Sequence, residues 1–166
     1  SDGLPYFLFL LAGTVAWDGF AATLMRGTRA LEMNRDLTEQ IYHPRAILPF
    51  GSIAPAMLTL VIRITVFALA LVYYIVHDGR VYLRTDTGLL WALAALALGV
   101  AFALALSYFT SIWGENTRDT RFALNQVLSV WQMLTPVIYP LSQVPDEYKR
   151  WILVNPMAIV LSLIHI

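Results

Sequence analysis

Two charged residues stand inside long apolar runs, and they pose the first chemical question. Asp18 lies in the run that begins at Pro5, and Arg63 lies about ten residues into the run that begins at Ile53. A charge at the centre of a bilayer costs roughly 3 kcal/mol on insertion scales unless it is paired or wet. Arg63 therefore either snorkels toward the nearer interface or faces a water-filled conduit, and Asp18, on the same half of the membrane, is an available partner. No catalytic constellation accompanies them. His43, His77 and His165 fall on different segments, so their spacing does not make a metal site. The chain has no cysteine, and hence no thiol nucleophile or Cys-type zinc site. The phosphate-cradling pattern G-x-x-x-x-G-K-[ST] does not occur, so no ATP hydrolysis of that kind is expected here.

The elements that must position these residues follow from composition. Of 166 residues, 58% are hydrophobic and 13% charged, where a soluble domain carries roughly a quarter charged. Eleven Lys and Arg balance eleven Asp and Glu, so there is no basic surplus for nucleic acid. An all-α integral membrane protein is the class that remains. A spanning helix needs about 20 mostly apolar residues, and four stretches qualify: about 5–25, 53–76, 89–113 and 122–139. They lack the polar alternation of barrel strands, so a polytopic helical bundle with four complete spans is expected.

Basic residues orient the bundle. Arg26, Arg29, Arg35, Arg45, Arg118 and Arg121 fall on one side, against Arg80, Arg84, Lys149 and Arg150 on the other. Six against four puts the loop from Arg26 to Ala46 and the loop from Gly114 to Arg121 in the cytoplasm. Tyr6, Trp17, Tyr73, Tyr74, Trp91, Trp113 and Tyr139 are expected near helix ends as an aromatic belt.

Three local patterns carry further expectations. In the first cytoplasmic loop Asn34 is placed to cap a short amphipathic helix, with Asp36 in its first turn, Leu37 and Ile41 on one face, and Pro44 as its stop. That helix either rests in the lipid headgroups or docks into a cytoplasmic partner. In the third span Ala95, Gly99, Ala103 and Ser107 form a small-residue stripe suited to close helix packing. After the fourth span, Pro136 and Pro140 prevent a continuous helix, and a short amphipathic helix is expected to start at Pro145 and stop near Asn155-Pro156. Two short broken helices on the outer face read as a lid or gate.

These motifs, in this order, resemble a known family. Pro5 to Gly13, Trp17, Asn34 to Leu37, Tyr42-His43-Pro44-Arg45-Ala46-Ile47-Leu48-Pro49, Asn116-Thr117-Arg118-Asp119, Trp131, Thr135 to Pro140, and Val144-Pro145 through Asn155-Pro156 look like the permease subunit of polysaccharide-exporting ABC transporters. The resemblance covers nearly the whole chain. It implies a fragment, residues 1–160, of a six-span transmembrane domain, working as two permease copies with separate ABC ATPase subunits in the cytoplasmic (inner) membrane. The permease is then not itself an enzyme and carries no cofactor. Its substrate would be a lipid-linked glycan of the O-antigen, capsule or teichoic acid type, and the rival is a related exporter of drugs or small lipids.

The resemblance also distributes roles. Asn34, Asp36, Leu37, Glu39, Ile41, Tyr42 and Arg45 would form the coupling helix seated in the ATPase, with Glu115, Arg118 and Asp119 as a second cytoplasmic contact. Arg63, Trp131, Tyr139, Tyr148 and Trp151 would line the conduit or gate, and aromatics such as Trp131 and Tyr139 would stack on sugar rings. Arg63 departs from the family pattern, which commonly has an acidic or apolar residue there. Residues 161–166, Leu-Ser-Leu-Ile-His-Ile, match what a common transposase adapter encodes when read in frame, and are expected to be a non-native tail.

Overall fold

The computed structural model describes residues 6–34, 47–79, 88–116, 119–137, 139 and 144–164. All the elements among them are helical: α1 (Tyr6–Thr28), α2 (Ala30–Met33), α3 (Ile47–Ser52), α4 (Ala54–Asp78), α5 (Gly88–Asn116), α6 (Asp119–Leu134), α7 (Asp146–Leu153) and α8 (Pro156–Ile164). Three units among the described residues are long and apolar enough to cross a bilayer, at 6–28, 47–77 and 90–112. They reproduce the first three expected spans. Helix α3 was not foreseen. It runs through the turn at Ile53 into α4, because a proline in a helix's first turn forfeits no intrahelical bond and Pro49 and Pro55 both sit there.

The fourth expected span is shorter than its apolar run implied. Helix α6 has 16 residues and ends at Leu134, where Thr135 to Val137 form a turn. Pro136 supplies the reason, since the residue before a proline is driven out of helical geometry. The helix is about 24 Å long at 1.5 Å per residue. At the other end of the chain the short amphipathic helix appears as α7, with Pro145 as its N-cap and not its first residue.

Helix α1 is the central member, packed against α4, α5, α6 and α8. Contacts along its length fix the directions of its neighbours. Phe20 stacks on Phe102, and the hydroxyls of Thr28 and Thr110 share a hydrogen bond of 2.5 Å, so α1 and α5 run parallel. Phe7 meets Tyr74 while Asp18 meets Arg63, so α4 runs antiparallel to α1. This is the alternation that successive crossings of one membrane require.

The small-residue stripe lies where close approach is greatest. Ala95, Gly99, Ala103 and Ser107 are all buried, and Gly27 of α1 sits directly over the Ser107 side chain with no room for a Cβ. Gly99 faces Val160 of α8, at 3.5 Å from where a Cβ would stand. With no hydrophobic drive between helices in lipid, this interdigitation of backbones and the Thr28–Thr110 bond are what hold α1 to α5. Trp17, Phe20 and Leu24 fill the centre with Leu128, Met157, Val160 and Leu161. Trp17 is therefore corrected from belt to core: it is 2% exposed, midway along α1. The outward side chains Leu58, Ile62, Leu69 and Val76 of α4 are exposed, as befits a helix surrounded by lipid.

Candidate functional site

A polar recess opens where α4 and α6 diverge on either side of α1. Arg63 reaches it from α4, Asp18 from α1, and Asn125, Ser129 and Gln132 from α6, with Trp17, Ala21, Ala22 and Met25 forming the floor around a volume of about 300 Å³. Local packing sets this arrangement. Gly19 leaves space for Leu60, whose Cδ1 lies 2.8 Å from where a Cβ on Gly19 would stand, and this close seat brings Arg63, one turn on, against Asp18. The Arg63 guanidinium donates from Nη1 to Asp18 Oδ2 in an ion pair. Both side chains keep access to the recess, at 45% and 34% exposed.

The polar face of α6 follows helical periodicity. Asn125, Ser129 and Gln132 stand at positions i, i+4 and i+7, one face of a helix. Ser129 donates its hydroxyl to the Asn125 carbonyl at 2.9 Å, so its lone pairs remain open to the recess. The side-chain amides of Asn125 and Gln132 bond no group among the described residues. Sequence reasoning singled out Arg63 and Asp18 but passed over these three, although their spacing was a legible signal.

A second recess, about 400 Å³ and apolar, is lined by Trp131, Leu134, Ile152, Val154, Asn155 and Pro156. Beside it Asn155 ties three elements together. Its Oδ1 accepts from the Trp131 indole N–H at 3.0 Å and from the Met157 backbone N–H at 3.1 Å, while its Nδ2 donates to Thr135 Oγ1 at 2.8 Å. Trp131 also meets Phe20 and Trp17 edge to face, with centroids 5.3 and 6.2 Å away. Its ring is a packing member between α6 and α1 as well as a wall of this recess. Tyr139 is half-buried and donates to the Met133 carbonyl at 3.3 Å, whereas Tyr148 on α7 is 60% exposed. The Trp151 backbone belongs to α7, and its side chain lies outside the described residues.

The expected cytoplasmic contacts are reached only in part. Asn34 closes α2 as its C-cap, donating from Nδ2 to the Ala30 carbonyl at 2.8 Å. Asp36, Leu37, Glu39, Ile41, Tyr42 and Arg45, and with them the helix Asn34 was expected to open, lie outside the described residues. Glu115 falls in the last turn of α5, which runs on to Asn116, so the loop expected from Gly114 is shorter than anticipated. Hydropathy marks only where a helix leaves lipid, and the intrahelical hydrogen bonds continue past that point. Arg118 is outside the described residues, and Asp119 is the exposed first residue of α6, where its charge favours the helix dipole.

Comparison with known proteins now decides the family. The family description "ABC-2 type transporter" matches residues 2–166. The chain belongs to the ABC-2 type transporter family. An O-antigen export system permease protein RfbA of Myxococcus xanthus is 28% identical over 162 residues, covering 95% of this chain and 58% of the relative. Two proteins of the same name from Klebsiella pneumoniae are 23% and 21% identical over 154 residues, covering 92% of this chain and 57% of each relative. The chain thus spans a little under three-fifths of the relatives it matches. Membership and the three apolar helices together make this a multi-pass membrane protein of that family.

Proposed function

We propose that the chain is part of a permease exporting polysaccharide across the cytoplasmic membrane, driven by ATP hydrolysed on a separate ATPase subunit and working with a second permease copy. The observation that carries this is the relationship over nearly the full chain to permeases named for O-antigen export. The polar recess supports it: charged and amide side chains facing an opening among membrane-crossing helices belong to a protein that passes polar material, not to an inert anchor. In this reading the segment from Asn34 to Arg45 is the coupling helix, and Glu115, Arg118 and Asp119 make the second cytoplasmic contact. Closure of the ATPase pair displaces these contacts, and α1 transmits the movement because it packs along α5 and α4 and also touches α6. Arg63 borders the conduit, while Trp131, Tyr139, Tyr148 and Trp151 belong to its outer gate, which α7 covers. The cargo is a glycan on a lipid carrier.

Deletion of the gene for the full-length permease in its host tests this. The expected result is loss of surface polysaccharide with lipid-linked glycan accumulating inside, reversed by the wild-type gene. Normal surface glycan in the deletion strain, with altered drug resistance or lipid distribution instead, overturns it in favour of an exporter of drugs or small lipids.

A further inference from the structure

We infer that the recess between α1, α4 and α6 is a subsite for neutral sugar residues, selecting hydroxyl-rich segments and rejecting anionic ones. This rests on the export reading and adds the chemistry of what the recess accepts. The first argument is charge. Arg63 is already engaged by Asp18, so the pair adds no net charge. A phosphate or uronate entering the recess would have to strip Arg63 from Asp18 and leave that carboxylate uncompensated beside a second anion, where low dielectric magnifies repulsion. A sugar hydroxyl imposes no such exchange.

The second argument is hydrogen-bond valence. The amides of Asn125 and Gln132 present both donors and acceptors with no protein partner among the described residues, and Ser129 presents free lone pairs. Asn125 and Ser129 are exposed on α6 and Gln132 is half-buried, so all three can meet a polar occupant of the recess. A hydroxyl both donates and accepts, so vicinal hydroxyls can bridge the Asn125 and Gln132 amides, the Asp18 oxygens and the Arg63 N–H groups. The third argument is size. About 300 Å³ is at the small end of ligand pockets. It holds a short run of pyranose rings and not a folded polymer, as suits a chain moved through in extended form.

The test uses the full-length permease with its ATPase in phospholipid nanodiscs, titrated with mannotriose and with trigalacturonate while tryptophan emission is followed, Trp17 lying in the recess floor. Mannotriose is expected to shift the emission, trigalacturonate to bind at least tenfold more weakly, and Asn125→Leu and Gln132→Leu each to weaken mannotriose at least tenfold. Leucine suits a membrane helix, so both variants should fold, and Asn125→Gln should retain binding. Equal or tighter binding of trigalacturonate, mannotriose affinity unchanged in both leucine variants, or no response of the wild type to mannotriose overturns the assignment. If surface glycan is still restored by the wild-type gene in that event, the export reading stands and only the subsite falls. If the wild-type gene restores none, the export reading itself fails.

Discussion

The Trp131 indole N–H and the Asn155 side-chain oxygen lie 3.0 Å apart, joining the last turn of α6 to the break between α7 and α8. Three hydrogen bonds converge on the Asn155 amide, so its removal strands several partners at once. Asn155→Leu should destabilise the full-length permease by about 2–3 kcal/mol, since each stranded buried partner costs ~1–3 kcal/mol. Trp131→Phe, losing one bond and some packing, should cost less. Thermal denaturation in detergent checks the order, and a larger loss for Trp131→Phe would contradict it.

Gly27 and Ser107 make the tightest approach of α1 to α5. Gly27→Ala should therefore lower thermal stability by about 1–3 kcal/mol, the usual cost of overpacking. Adding Ser107→Gly should recover part of that loss, because it vacates the colliding Cβ. An equal loss in the double variant would show that this contact does not set the helix separation.

Asp18 and Arg63 should behave as a coupled pair. Either Asp18→Asn or Arg63→Gln leaves one charge inside an apolar helix without its partner, a cost of about 3 kcal/mol on insertion scales that the open recess reduces. The double variant should be less damaged than the worse single one, read as folded yield in membranes and as melting temperature. Strict additivity of the two losses would show that the residues do not sense each other.

Leu37→Cys in the assembled transporter should cross-link to a cysteine placed in the cleft of the ATPase subunit, with a yield that changes on adding ATP. Absence of any cross-link in an assembled, active complex would remove the coupling role from the Asn34 to Arg45 segment.

Much of this architecture could be read from the chain because lipid imposes one rule on every span. An apolar run of about 20 residues must be a helix, and α1, α4 and α5 follow their runs to within about three residues at either end. The helix beginning beside Pro145 was legible for a similar local reason, whereas α6 stops at Leu134, short of the 139 expected from its apolar run. What hydropathy does not encode is which way a side chain faces. Trp17 looked like an interfacial anchor because tryptophan often is one, yet it fills the core because α5, α6 and α8 close around the middle of α1. Asp18 could be named as a partner for Arg63, but their meeting depends on Leu60 seating over Gly19, a contact between residues 41 apart in sequence. The recess walls on α6 carry their own signal: Asn125, Ser129 and Gln132 share a helix face by spacing alone.

The order in which the chain is made gives the Asp18–Arg63 pair another meaning. Synthesis runs from the N-terminus, so α1 is offered to the bilayer bearing an acid whose counter-ion follows 45 residues later. Until α4 arrives, α1 is the least lipid-compatible of the three apolar crossings, and its main packing partner, α5, is later still. The carboxylate of α1 thus gains its counter-charge only once α4 has been made.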